Sequence, residues 1–221
     1  NAARLDATLA YPNEQIGQIW LSAKNYQQAL EYLTKAKNSD STFATIYRDL
    51  AETYYNMNKV DDATKSIEKF LTLADKSDEN MFRYAQLLFL SKQYEKAMQI
   101  LEPLMQRNPE NTTMMRLAGY SYYELGKYAE GEAMMMNFFS KREPNKLLES
   151  DYEYLGHLQM KNNHDAEAVG SFDKAVKMDS TKCSLWSELA NKYYTAKDYH
   201  DAATYFQKSV DCSKQPDIKD V

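Results

Sequence analysis

The same arrangement of small and large hydrophobic residues recurs along this chain about every 34 residues, and it occurs six times. The clearest column contains a small residue: Ala29, Ala63, Ala97, Gly131, Ala168 and Ala202. Successive members are 34 positions apart, except for Gly131 and Ala168, which are 37 apart. A period of this length indicates a repeat protein whose stacked units bury one continuous core.

Two further columns keep a fixed distance from this one. The column that precedes it by 12 positions is small, and consists of Gly17, Ala51, Ala85, Gly119, Gly156 and Ala190. The column that follows it by four positions is large and apolar, and consists of Leu33, Ile67, Leu101, Met135, Phe172 and Phe206. We expect two helices per repeat, with Gly17 and Gly119 facing the small residue of the second helix. Polar segments such as 56–61 and 108–111 are expected to form the turns.

These columns resemble the tetratricopeptide repeat, a helix–turn–helix unit of 34 residues. In the second repeat the matching residues are Tyr47, Leu50, Ala51, Tyr54, Ala63 and Ile67. In the sixth they are Trp186, Leu189, Ala190, Tyr193, Ala202 and Phe206. Pro109 matches the terminal proline of the third repeat, whereas Gln159 and Asp165 depart from the pattern in the fifth.

The resemblance covers residues 10–215, and the chain is similar to tetratricopeptide-array proteins of the Bacteroidetes type. It implies an all-α fold, an α-solenoid with six hairpins in a right-handed superhelix and no internal domain boundary. The repeats would begin near residues 10, 44, 78, 112, 149 and 183.

The two ends continue the pattern. Residues 1–9 match the tail of a preceding repeat, and residues 216–221 match the opening of a further first helix. We therefore expect a piece of a longer array, whose terminal hairpins expose apolar surface and allow end-to-end self-association.

The fourth repeat is irregular in two ways. Its second helix carries Met134, Met135, Met136, Phe138 and Phe139, and one helix face cannot bury all five, so part of this group is expected to face outward. Three extra residues then follow, in the polar stretch 141–148. We expect an exposed loop there, with a bend between the fourth and fifth repeats.

Composition narrows the possible functions. The net charge is −5, and Lys and Arg form no basic run, so nucleic acid is not an expected partner. We also expect no direct membrane insertion, because no apolar stretch approaches the roughly 20 residues of a membrane span. Any targeting segment would lie outside this sequence. Location is therefore left open, with an exported or periplasmic one favoured over a cytoplasmic one.

Residues that could carry catalysis are few. His157, His164 and His200 do not pair with each other or with cysteine at a metal-ligand spacing, so we expect no metal, no cofactor and no enzyme activity. Cys183 opens the first helix of the last repeat and Cys212 ends its second. They are either a disulfide, which would indicate an oxidising compartment, or two partly buried thiols.

The resemblance places ligands on the exposed face of the first helices. An apolar column on that face consists of Leu21, Tyr55, Phe89, Tyr123, Met160 and Tyr194. The residues three and seven positions before each member lie on the same helical face. From these columns the candidate partner-binding residues are Arg48, Tyr55, Phe82, Phe89, Arg116, Tyr120, Tyr123, His157 and Tyr194. The Lys and Asn clamp for a peptide carboxylate, known in this family, is not reproduced at Glu14, Arg48 and Phe82.

The expected function is that of a non-enzymatic scaffold whose concave groove binds an extended peptide or a helix of a partner protein. Aromatic residues with arginine are typical of binding hot spots, although tyrosine at this column also packs against the next helix. Two alternatives stay open. One is a carbohydrate-binding, glycan-capture protein, suggested by 18 tyrosines. The other is an assembly arm of a larger multidomain enzyme.

Overall fold

The computed structural model describes residues 9–214, and within that range it contains twelve α-helices and no β-strand. The helices are Ala10–Ser22 (α1), Tyr26–Ser39 (α2), Ala44–Asn56 (α3), Val60–Leu73 (α4), Asp78–Leu90 (α5), Tyr94–Arg107 (α6), Thr112–Glu124 (α7), Tyr128–Lys141 (α8), Glu149–Lys161 (α9), Asp165–Met178 (α10), Ser184–Thr195 (α11) and Tyr199–Ser213 (α12). The expected all-α fold of helical hairpins is therefore confirmed. The predicted tail of a preceding repeat and the predicted further helix fall at residues 1–8 and 215–221, outside the described residues.

The chain divides into two compact units, with the boundary between Asn108 and Pro109. The first unit contains α1–α6 and the second contains α7–α12, so each has three hairpins. The single six-repeat array expected over residues 10–215 stays a prediction.

The turn inside each hairpin has the same backbone conformation in all six copies. Its central residue has a positive φ, between 58° and 72°, at Lys24, Asn58, Lys92, Gly126, Asn163 and Lys197. The next backbone N–H donates to a carbonyl five positions earlier, as Gln93 does to Leu88 at 2.8 Å. Only the fourth repeat uses glycine, the residue for which this conformation is least costly.

Replacing Lys92 with glycine is therefore expected to raise the free energy of unfolding by about 1 kcal/mol, because the left-handed conformation is unfavourable for a residue with a Cβ. Urea unfolding followed by circular dichroism measures the change. Lys65→Gly is the matched control. It makes the same replacement inside α4 and should lower stability by up to about 1 kcal/mol. A destabilised Lys92→Gly variant would contradict the argument.

Small residues on the first helices allow the second helices to approach closely. A Cβ added to Gly119 would lie 2.5 Å from the side chain of Met135, and one added to Gly156 would lie 2.5 Å from Phe172. Gly17 faces Leu33 in the same way, at 2.7 Å. The first-helix small column thus faces the large apolar column of the second helix. This corrects the expectation that Gly17 and Gly119 face the small column.

Most of the large apolar side chains of the methionine-rich helix α8 pack against neighbouring residues. Met135 and Phe138 are fully buried, and the ring of Phe139 lies 4.9 Å from that of Tyr152. The space beside Gly131 is filled by Leu158 of α9, since a Cβ there would lie 2.6 Å from it. Met136, at 56% exposure, is the large side chain of this group that faces outward.

The three extra residues before the fifth repeat form a short connection. Residues 143–146 are exposed and include a 3-10 turn, Pro144–Lys146, while Leu147 is buried. Lys141 pairs with Glu110 at 2.6 Å, and Arg142 donates to the hydroxyl of Thr112 at 3.0 Å. The exposed loop is present, and these bonds hold its start; the expected bend between the fourth and fifth repeats stays a prediction.

Candidate partner-binding face

In the first unit, Arg48 is engaged by its own chain. Its Nε lies 2.6 Å from Oδ1 of Asp49, whose side chain is buried. Gln18 donates to Asp49 and to Glu14, both at 2.9 Å. Burial raises the pKa of Asp49, while the hydrogen bond from Arg48 acts in the opposite direction. Arg48 therefore neutralises a buried carboxylate before any partner is present.

Beside this pair lies a polar cleft of about 310 Å³, lined by Gln18, Leu21, Ser22, Arg48, Asp49, Glu52 and Arg83. Of the predicted apolar residues in this unit, Tyr55 is 36% exposed and Phe82 is half-buried. Phe89 is also half-buried, and its ring packs edge-on against that of Tyr94 at 5.4 Å.

In the second unit, Arg116 and Tyr120 bind Asp151 of α9. Arg116 places Nε 2.7 Å from Oδ1 and donates from Nη2 to Oδ2 at 2.8 Å. The hydroxyl of Tyr120 donates to Oδ1 at 2.5 Å, and the N–H of Leu148 donates to Oδ2 at 2.8 Å. Asp151 is completely buried.

Arg116 and Tyr120 are thus engaged by their own chain, and their predicted contact with a partner stays a prediction. Tyr120 is 9% exposed, and its pKa is raised by burial and by the hydrogen bond to Asp151. Both side chains link α7 to α9, so their first role is to hold the fourth and fifth repeats together.

Three rings next to this contact form a continuous surface that we call the aromatic strip: Tyr123, Tyr154 and His157. The ring of Tyr123 lies 5.4 Å from that of Tyr154 and 5.5 Å from that of His157. Tyr154 also stacks on Tyr120 with ring centroids 3.9 Å apart. All three members are half-buried, so each has one part packed and one part accessible.

Two carboxylates flank the aromatic strip. The hydroxyl of Tyr154 donates to Glu124 at 3.0 Å, and His157 Nε2 lies 2.8 Å from Glu188. The hydrogen bond with His157 lowers the pKa of Glu188, and the charge of Lys161 makes a smaller contribution in the same direction. Within residues 9–214, no Lys or Arg nitrogen forms an ion pair with Glu124 or Glu188.

The remaining predicted positions lie apart from these contacts. Tyr194 is 58% exposed, and its ring lies 5.7 Å from that of Tyr199. His164, which is not a candidate, pairs with Glu132 at 2.8 Å.

Cys183 and Cys212 form a disulfide, with their Cα atoms 5.7 Å apart. It joins the segment before α11 to the last turn of α12. In the described part of the chain, no group of three or more His, Cys, Asp or Glu side chains is arranged to hold a metal ion. None of the helices described is long and apolar enough to cross a membrane.

Apolar side chains are exposed on the first and last described helices. On α1 they are Ile16 at 36% and Ile19 at 66%, and on α12 they are Phe206 at 38% and Val210 at 46%. End-to-end self-association through these faces stays a prediction.

Comparison with known proteins gives these hairpins a structural context. A family model described as anaphase-promoting complex, cyclosome, subunit 3 matches residues 56–138. Among solved structures, PilF of Pseudomonas aeruginosa is similar with a TM-score of 0.65 at 21% identity, covering 90% of this chain and 89% of its own. MamA of Desulfovibrio magneticus RS-1 gives 0.63 at 19% identity, covering 78% and 96%.

A third structure, YrrB, is described as a TPR protein with an unusual peptide-binding site. Its TM-score is 0.58 at 19% identity, and the match covers 77% of this chain and 86% of YrrB. No curated protein sequence matches the chain. Identities at this level establish a shared fold.

Proposed function

We propose that this chain, which shares its fold with a solved tetratricopeptide-repeat protein, is a non-enzymatic scaffold that binds an extended peptide or a helix of a partner protein. The proposed contact is the exposed face of α7, α9 and α11 in the second unit. A binding face made from successive first helices suits such a ligand, because each helix adds side chains at regular spacing along it.

The observation that carries this proposal is the aromatic strip. Tyr123 and Tyr154 come from different repeats, yet their rings and that of His157 are in contact. Rings that are held by packing and remain partly accessible lose little conformational freedom on binding, which is why tyrosine is enriched at hot spots.

The neighbouring contact with Asp151 supports the same role in a different way. Arg116 and Tyr120 fix the position of α9 against α7, and Tyr120 stacks directly on Tyr154. The strip is therefore preorganised before a partner arrives, which reduces the entropic cost of binding.

Carbohydrate binding is a second candidate, favoured by the exposed rings of Tyr194 and Tyr199. Adjacent exposed tyrosines can stack on sugar rings as well as on protein side chains. A glycan array probed with the same protein separates the two, since a scaffold that binds peptides gives no glycan signal that depends on Tyr194.

The disulfide supports an exported location for this scaffold. Disulfides persist in oxidising compartments, whereas cytosolic thiols are kept reduced. An assembly arm of a larger enzyme remains compatible with the same binding face, and the flanking sequence of the gene tests that alternative.

The proposed function is tested by selecting peptides from a displayed library on the immobilised protein and measuring the affinity of the best binder by calorimetry. Tyr154→Ala is expected to weaken binding by about 1–3 kcal/mol, with helicity unchanged. Tyr11→Ala, which removes an exposed tyrosine from α1, is the control and should leave affinity unaltered. Equal affinities for the wild-type protein and Tyr154→Ala would refute the assignment of this face.

A further inference from the structure

We infer that the aromatic strip binds a positively charged protein segment, with a Lys or Arg side chain placed against the rings of Tyr123 and Tyr154, between Glu124 and Glu188. This inference rests on the proposed function, because it assumes that the face binds a protein segment. It adds that this segment carries a positive charge.

Three of the cationic side chains near this face are already engaged. Arg116 is bound to the buried Asp151, Lys182 pairs with Glu153 at 2.6 Å, and Lys192 pairs with Asp165. None of these three is therefore free to neutralise an acidic ligand. A segment that carried carboxylates would find no unpaired guanidinium or ammonium among these three.

The carboxylates beside the aromatic strip, by contrast, are not paired with a Lys or Arg of the described chain. Glu124 accepts a hydrogen bond from the neutral hydroxyl of Tyr154, and Glu188 contacts His157. Lys161 is the nearby cation, but its Nζ lies over the ring of Tyr128, 5.9 Å from the centroid. Both carboxylates can thus accept a further charge-assisted hydrogen bond from an incoming ammonium or guanidinium.

The rings add a second attraction for the same charge. A cation over the face of a tyrosine is attracted by the ring quadrupole, most strongly where water is partly excluded. Tyr123 is such a place, since its pKa is raised first by burial and then by the negative charges of Glu124 and Glu188. Charge and ring contacts therefore favour one class of ligand, a segment bearing Lys or Arg.

The test uses the full chain and a library of short synthetic peptides, in which every sequence is present in three versions with arginine, glutamine or glutamate at the same positions. The arginine versions are expected to dominate the bound fraction. Their affinity should fall about tenfold when glutamine replaces arginine, and it should decrease as salt increases.

Variants of the protein show whether the strip is responsible. The double variant Glu124→Gln/Glu188→Gln is expected to lose about tenfold in affinity for the arginine peptides. Glu130→Gln removes one charge from the exposed surface of α8 and should bind as the wild-type protein does. Replacing both Glu124 and Glu188 with lysine should shift the preference toward the glutamate versions.

The outcomes separate this inference from the proposed function. Peptides that bind in a Tyr154-dependent manner, with no preference for the arginine versions, would overturn the inference and leave the scaffold function intact. Unchanged affinity of the arginine peptides for Glu124→Gln/Glu188→Gln would also overturn it. If no peptide in the library bound, both would be rejected.

Discussion

Replacing Asp151 with alanine is expected to lower the free energy of unfolding of the second unit by about 3–5 kcal/mol. The carboxylate is completely buried and accepts from Arg116, from Tyr120 and from the N–H of Leu148. Without it, the guanidinium of Arg116, whose side chain is 17% exposed, keeps its charge with no counterion. The phenol of Tyr120 also loses its shortest hydrogen bond, at 2.5 Å, and keeps only the longer one to Ser150, at 3.4 Å, among those described.

The measurement is urea unfolding at neutral pH, with Asp173→Ala as the control. Asp173 forms a pair of similar length with Lys177, at 2.6 Å, but both side chains are exposed, so its loss should cost less than about 1 kcal/mol. Tyr120→Phe, which removes only the hydroxyl, should cost about 1 kcal/mol. If Asp151→Ala were no more destabilising than Asp173→Ala, the buried link between α7 and α9 would not have the importance assigned to it.

A double variant tests the physical reason. Arg116→Ala alone should be about as harmful as Asp151→Ala, because it leaves a buried carboxylate unpaired. Replacing both residues with apolar side chains, as Arg116→Met/Asp151→Leu, should restore most of the stability. Simple addition of the two single effects would show that the residues act independently.

The fold could be predicted because the information for it is local and repeated. The first helices begin at Ala10, Ala44, Asp78, Thr112, Glu149 and Ser184, and each of these residues lies within one position of a start inferred from the columns. A column of small residues predicts close helix approach in any single repeat, and six copies in register reinforce one another. Which column of the second helix Gly17 contacts could not be derived from the sequence, since it depends on how the two helices are rotated against each other.

The contacts made by the candidate site residues could be predicted less well, because their side chains bind groups of a neighbouring repeat. Arg116 and Tyr120 lie on the expected face, but Asp151 binds both from the next first helix. A signal was present. The equivalent positions in three other repeats hold Ile46, Met114 and Leu185, so a carboxylate in this column points to a buried polar contact.

Tyr154 and Glu188 were missed for a different reason. They belong to a column that lies six positions before the apolar column of the first helices and that also contains Asp49 and Arg83. The sequence argument considered only the columns three and seven positions before the apolar column. Tyr154 lies three positions before His157, and residues at that spacing are neighbours on a helix surface. Extending the argument by one more step of three would have identified this column.

Removal of the disulfide is expected to destabilise the last hairpin by about 3–4 kcal/mol. Cys183 and Cys212 are separated by 29 positions, and the bond closes the open end of the α11–α12 pair. The exposed residues of α12 include Tyr199, Phe206 and Val210, so part of the apolar surface of this helix contributes nothing to packing in the hairpin. A cross-link that restricts the unfolded chain adds stability to this hairpin.

The measurement compares urea unfolding with and without dithiothreitol, for the wild-type protein and for Cys183→Ala/Cys212→Ala. The reductant should lower the stability of the wild-type protein alone. Hydrogen exchange should show faster opening in α11 and α12, with α7 and α8 as the internal control. The same unfolding midpoint for the wild-type protein under both conditions would contradict the prediction. Because cytosolic thiols are kept reduced, an effect of this size would make the last repeat stable mainly in an oxidising compartment, where an exported scaffold would act.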